Sequence, residues 1–145
     1  MNAITPLSDV TTPEPSVPAE FTDSFERQRG AFLAHPCPSY AERIADLRAM
    51  HRLLVENRAA LVEAVHRDYG NRSRHETLFA EVFTAIDGVD HALKHLKRWM
   101  RPQKRPVDRR NFLGAKNRVI PQPLGVVGVI VPWNFPLNLS ILPLV

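Results

Sequence analysis

The stretch Leu124-Gly-Val-Val-Gly-Val-Ile-Val-Pro-Trp-Asn-Phe-Pro136 decides the fold class of this chain. Residues 124–131 are apolar or glycine, and a run without polar alternation is typical of a strand in a parallel sheet that helices cover on both faces. Pro132 ends this predicted strand, and Pro136 suits the first turn of a following helix. The stretch therefore predicts an α/β fold.

Gly125 and Gly128 interrupt this apolar run. They do not form a Gly-x-Gly-x-x-Gly fingerprint, because they fall within the predicted strand and not after it. Glycine inside a strand is typical of a site where another part of the chain approaches the backbone closely. We therefore expect close packing at both positions.

The sequence after Pro136 is too short to complete the predicted parallel sheet. A parallel neighbour needs a crossover of about a dozen residues or more, usually a helix, and only residues 137–145 follow Pro136. We therefore expect the chain to be the first part of a longer protein, interrupted within its first βαβ unit.

Upstream, the sequence predicts four helices. The first covers about residues 20–34, and the second begins at Ser39, which forms a capping box with a glutamate three residues later. The third ends at Gly70, a residue suited to a left-handed stop. The fourth begins after Ser73 and continues until Pro102 forbids further helix. It has apolar residues every three or four positions: Leu78, Val82, Ile86, Val89, Leu93, Leu96 and Met100.

Composition divides the chain into four parts. Residues 1–18 are rich in proline and polar residues and are predicted to be a flexible leader. Residues 19–102 are the helical part, 103–123 a basic connector with a short extended segment near 118–120, and 124–145 the first strand and the start of a helix. Gly88, inside the long helix, predicts a close packing contact or a slight bend.

The lone cysteine, Cys37, excludes an intrachain disulfide framework. No secretory signal precedes the helices. Together these features favour a cytoplasmic protein in a reducing compartment. Because Cys37 lies between Pro36 and Pro38, with no base or helix N-terminus visible to lower its pKa, we interpret it as a plain thiol and not a nucleophile.

Asn134 is the only polar side chain in the corner formed by residues 132–136. Such a corner follows the carboxyl end of a parallel strand, where open α/β sheets bind ligands. One interpretation is that the Asn134 amide donates to an oxygen of a ligand. The alternative is that Asn134 stabilises a tight turn through its own backbone, a common role of asparagine.

Two other features suggest binding to nucleic acid or to a metal. The basic stretch from Lys94 to Arg118 is a possible nucleic-acid surface, but it lacks a recognition module, so we interpret it as a solvated connector and predict no nucleic-acid partner. The pair His91 and His95 has a spacing that suits a metal, yet lysines surround it and no HExxH motif is present; we predict no metal.

Residues 119–145 contain no charge, which makes a membrane anchor an alternative. Five prolines and two asparagines in this span disfavour it, so we predict no membrane partner. Another alternative is a non-catalytic interaction segment, in which the long amphipathic helix and the unpaired strand dock on a partner.

The run from Pro121 to Pro136 resembles the start of the dinucleotide-binding domain of aldehyde dehydrogenases. Two helical stretches, Asn71-Arg-Ser-Arg-His-Glu-Thr77 and His95-Leu-Lys-Arg-Trp-Met-Arg-Pro102, are similar to the branch that includes coniferyl-aldehyde dehydrogenases. The resemblance covers about residues 25–145. It implies N-terminal helices that lead into a truncated, Rossmann-like parallel sheet.

The resemblance also implies a site. In this family an asparagine matching Asn134 holds, with a backbone amide, the oxyanion formed when a cysteine thiolate attacks the aldehyde. The strand end before it lies against NAD or NADP, which implies cofactor contact for Ile130, Val131, Pro132 and Trp133. The implied substrate is a small-molecule aldehyde, of the aromatic coniferyl type, that is oxidised to its acid.

The same resemblance places the nucleophilic cysteine and the general-base glutamate beyond Val145. We therefore expect the chain to be inactive by itself. It also implies that the full-length protein forms a homo-oligomer.

Overall fold

The computed structural model describes residues 17–145, which are mostly helical. The predicted leader, 1–18, lies outside the described residues except for its last two. The α-helices are α1 (Ala19–Ala34), α2 (Tyr40–Glu56), α3 (Arg58–Tyr69), α4 (Arg74–Thr77), α5 (Thr84–Trp99) and α6 (Pro136–Ile141), and a 3₁₀ turn, Leu142–Leu144, follows α6.

Three predicted helix ends, at Ser39, Gly70 and Ser73, are confirmed. At the start of α2, the Ser39 hydroxyl accepts from the Glu42 amide at 3.2 Å, and the Glu42 carboxylate accepts from the Ser39 amide at 2.7 Å. Gly70 ends α3 with a φ of 78°, in the left-handed region that glycine adopts without strain. The Ser73 hydroxyl accepts from the Glu76 amide at 3.4 Å at the start of α4.

The predicted fourth helix is continuous but not uniform. A π-helical turn, Leu78–Phe83, joins α4 to α5. The Thr84 hydroxyl donates to the main-chain oxygen of Ala80 at 2.7 Å just after this turn. The apolar spacing does not distinguish a π turn from an α turn, so this feature is not predicted from the sequence.

The core lies between α2 and α5. The buried residues of this core are Leu47, Leu54, Ala85, Val89 and Ala92. The apolar stripe of α5 is therefore covered by α2. Ile141 and Val145, from the end of the chain, pack against this core. A methyl group added at Gly88 meets the Leu142 side chain, which confirms the predicted close contact at this glycine.

The predicted connector contains a small sheet. Strand β1 (Gln103–Arg105) pairs with β2 (Asn117–Val119) in antiparallel register, with Lys104 opposite Arg118. The extended segment predicted near residues 118–120 is thus a strand, displaced by one residue. Its pairing with β1 was not predicted.

The strand predicted over residues 124–131 is not formed among the described residues. These residues join no ladder, and the sheet that the described residues form is the antiparallel pair of β1 and β2. A strand exists through its hydrogen-bonded neighbours, and residues 17–145 offer this segment no parallel partner. The predicted Rossmann-like parallel sheet is therefore not confirmed.

The two glycines of this segment differ. Gly125 has a φ of 93°, and its Cα faces the Phe32 ring of α1, which lies 3.5 Å from the position of an added Cβ. Close approach is confirmed there. Around Gly128 no described residue comes within 4 Å of an added Cβ, so the same expectation is wrong at that position.

Within residues 17–145, no helix has both the length and the apolar content that crossing a bilayer requires.

Candidate functional site

Residues 132–136 form a tight corner between the apolar segment, residues 124–131, and α6. The chain turns at Trp133 and Asn134 and bends at Phe135. Pro136 is the first residue of α6, as the sequence predicts. The missing amide of proline costs nothing at this position, because the first helical amides have no partner within the helix.

The predicted site residues lie on the surface of this corner. Ile130 is 99% exposed and Trp133 is 74% exposed. Pro132 and Asn134 are also exposed, and Val131 is half-buried. The corner thus presents one carboxamide beside a large apolar surface, an arrangement suited to donating a hydrogen bond next to a flat, partly apolar ligand.

Arg72, in the loop between α3 and α4, contacts the corner. Its side chain is only 8% exposed. Its Nη1 donates to the main-chain oxygen of Asn134 at 2.5 Å. The guanidinium carbon lies 4.9 Å from the centre of the Phe135 ring and 5.1 Å from that of Tyr69. Arg72 therefore contacts two consecutive residues of the corner.

Glu81, in the π turn, contacts the first turn of α6, which follows the corner. It is fully buried. Its Oε2 lies 2.7 Å from the Leu137 amide and 3.4 Å from the Asn138 amide, and accepts from both. Its Oε1 lies 3.3 Å from the Arg72 guanidinium. The Arg72–Glu81 ion pair therefore lies within the helical body, residues 19–99, and the Glu81 carboxylate joins this body to the first turn of α6.

The sequence reasoning missed Arg72 and Glu81. A signal for Glu81 exists, because its position falls on the apolar stripe of the long helix, between Leu78 and Ala85. Charged residues are almost never fully buried unless they are paired. For Arg72, a loop residue, we find no comparable signal in the sequence.

The remaining candidate groups lie elsewhere. Cys37 is exposed in the connection between α1 and α2. The rings of His91 and His95 lie 4.3 Å apart on α5, and Trp99 lies 5.8 Å from His95. Desolvation, followed by the charges of His91, Arg98 and Lys94, lowers the pKa of His95.

The basic residues of the small sheet form a separate surface. They are exposed and line an open cavity of about 400 Å³: Lys104, Arg105, Arg109, Lys116 and Arg118. The predictions of a solvated connector and of no nucleic-acid partner stay predictions.

Comparison with known proteins identifies the class. The aldehyde dehydrogenase family matches residues 16–145, which is most of the chain. The chain therefore belongs to the aldehyde dehydrogenase family.

Three relatives show which aldehyde dehydrogenases the chain is similar to. The chain is 49% identical over 120 residues to a probable coniferyl aldehyde dehydrogenase of Pseudomonas aeruginosa, covering 83% of this chain and 25% of that protein. It is 38% identical over 121 residues to the coniferyl aldehyde dehydrogenase of a Pseudomonas species, covering 83% and 24%. The human aldehyde dehydrogenase family 3 member B1 is 34% identical over 123 residues, covering 85% and 26%. The chain thus spans about a quarter of the length of these relatives.

Proposed function

We propose that this chain supplies the oxyanion-binding corner of an NAD(P)-dependent aldehyde dehydrogenase that oxidises an aldehyde to its carboxylic acid. The observation that supports this most is the position of Asn134. It is an exposed carboxamide on a tight turn whose main chain is held by a nearly buried arginine.

In this proposal the Asn134 amide donates to the aldehyde oxygen as that oxygen becomes negative. Charge develops there when a nucleophile adds to the carbonyl carbon, so a donor already in place stabilises the transition state more than the ground state. A single preorganised donor of this kind is worth about 10² to 10³ in rate. The nucleophile itself is not assigned to Cys37, which is exposed in the connection between α1 and α2.

The family implies a nicotinamide cofactor, and the exposed apolar residues before Asn134 fit one. Ile130 and Trp133, four residues and one residue before Asn134, expose apolar surface, and cofactor sites are lined mainly by apolar side chains with a few placed polar groups. We propose that Ile130, Val131, Pro132 and Trp133 contact it. When bound, NAD or NADP accepts the hydride that leaves the aldehyde carbon.

The names of the bacterial relatives support an aromatic substrate of the coniferyl-aldehyde type. We propose this class for the protein that contains the segment, together with a homo-oligomeric state and a parallel, Rossmann-like sheet that begins at residues 124–131. A cytoplasmic location, the inactivity of the 145-residue chain by itself and the four-part domain division stay predictions.

The proposal is tested by replacing Asn134 with alanine in the full-length enzyme that carries this segment. We expect kcat for aldehyde oxidation to fall by about 10²-fold or more, with little change in the Kd for the dinucleotide. The matched control is Asn111→Ala, which removes an exposed carboxamide that contacts Asp108 in the loop of the small sheet. An unchanged kcat in Asn134→Ala would exclude the oxyanion role.

A further inference from the structure

The π turn brings an unusual residue into the interior. Glu81 lies within this turn and is fully buried, although its neighbours along the stripe are apolar. Isolated π turns are rare and occur frequently at functional sites. A buried carboxylate requires compensating contacts. Here they come from Arg72 and from two amides that lie 56 and 57 residues away.

The contacts of Glu81 replace a missing helix cap. Pro136 is the first residue of α6, so Leu137 and Asn138 are its second and third residues. Their amides are the ones that an N-cap side chain normally satisfies. The N-cap residue, Phe135, has no side-chain acceptor, and Glu81 accepts from both amides instead. The start of α6 is therefore fixed by a residue of the helical body.

Arg72 restrains the corner that precedes α6. Its hydrogen bond to the Asn134 oxygen restrains the peptide unit that follows the Asn134 Cα. The stacking of its guanidinium on Phe135 and its ion pair with Glu81 connect this restraint to that of α6. Because the main chain is restrained on the carboxyl side of Asn134, the direction of its Cα–Cβ bond is restrained as well.

We infer that Arg72 and Glu81 are positioning residues that act through Asn134: together they hold the corner so that its carboxamide meets the developing oxyanion. This inference rests on the proposed function. Stability alone does not explain the pair, since apolar residues in place of a buried ion pair are often neutral or stabilising. Small displacements of a catalytic group, in contrast, cost about 10²-fold in rate for 1 Å.

The test compares single and double variants in the full-length enzyme. Glu81→Gln and Arg72→Lys preserve side-chain size but weaken the paired contacts. We expect each to lower kcat by about 10-fold or more, with dinucleotide Kd changed by less than about twofold. In an Asn134→Ala background the same substitutions should lower kcat by less than about a further twofold, because residues that act as a unit are not additive.

The control is another Arg–Glu pair, Arg74 with Glu63. Arg74 Nε lies 2.8 Å from the Glu63 carboxylate, but both side chains are about half exposed, and this pair does not touch the corner. Glu63→Gln and Arg74→Lys should leave kcat unchanged. A purely structural effect of charge removal on the helices would appear in both pairs.

The outcomes separate the two proposals. If Asn134→Ala lowers kcat and Glu81→Gln lowers it by the same factor in both backgrounds, the positioning role is wrong and the oxyanion role stands. If Asn134→Ala has no effect, both roles are wrong.

A second measurement does not depend on activity. In the 145-residue chain, Glu81→Gln and Arg72→Lys should both accelerate amide hydrogen exchange at Leu137 and Asn138 relative to Glu63→Gln. Unchanged exchange in both variants would show that the pair does not hold the start of α6, and would overturn the inference.

Discussion

The helical body and the segment 124–133 are both rich in branched apolar residues, yet they are buried very differently. In the body, Leu54 and Val89 are completely buried. In the segment, Leu124 is 91% exposed and Ile130 is 99% exposed. A helix satisfies its own main-chain hydrogen bonds and needs only one apolar neighbour, which α2 and α5 provide for each other. A strand needs hydrogen-bonded partners, and the segment has none among the described residues.

The largest expected effect tests this contrast directly. Leu54→Ala should lower the free energy of unfolding by about 2 to 5 kcal/mol, because it leaves a cavity between α2 and α5. Leu124→Ala, the same substitution in the segment, should change it by less than about 0.5 kcal/mol. Urea unfolding followed by circular dichroism measures both. Equal losses would mean that the segment is packed as firmly as the body.

A smaller effect is expected where the end of the chain meets the body. Gly88→Ala should add about 1 kcal/mol of stability from helix propensity, but its methyl group meets the Leu142 side chain. In a Leu142→Ala background the full gain should appear, and in the natural background a smaller one. Urea midpoints of the four proteins measure this difference. The same gain in both backgrounds would show that the two residues do not touch.

The smallest expected effect concerns the cap of α2. The hydrogen bonds from Ser39, followed by the charge of His35, lower the pKa of Glu42. The unfolded chain then binds this proton more readily than the folded chain. The contribution of Glu42 is therefore present above the ordinary carboxyl pKa and is lost as the pH falls through its lowered value.

Glu42→Gln should accordingly flatten the loss of stability in acid, measured by thermal unfolding over a pH series. Glu56→Gln, at the other end of α2, is the control and should leave that slope unchanged. A slope in Glu42→Gln identical to that of the natural chain would contradict the capping account.

The parts of the fold that the sequence predicts are those with local causes. The capping box at Ser39, the stop at Gly70 and the apolar spacing of the long helix each act within a few residues, and the structure has helix ends at these positions. The strand over 124–131 was predicted from composition alone. Its pairing depends on partners that no local pattern specifies.

The candidate site shows the same division. Asn134 is found from the sequence because it is the one polar side chain in its corner. Arg72 contacts Asn134 from 62 residues away, and Glu81 contacts Leu137, at the start of α6, from 56 residues away. Only a charged residue on an apolar stripe indicates Glu81 in advance, and the fold is needed to show what it contacts.

The most direct test of the central claim is a stopped-flow measurement of dinucleotide reduction in the first turnover of the full-length enzyme. We expect Asn134→Ala to slow this phase by about 10² to 10³ and Asn111→Ala to leave it unchanged. A first turnover in Asn134→Ala as fast as in the natural enzyme would contradict the oxyanion role of Asn134.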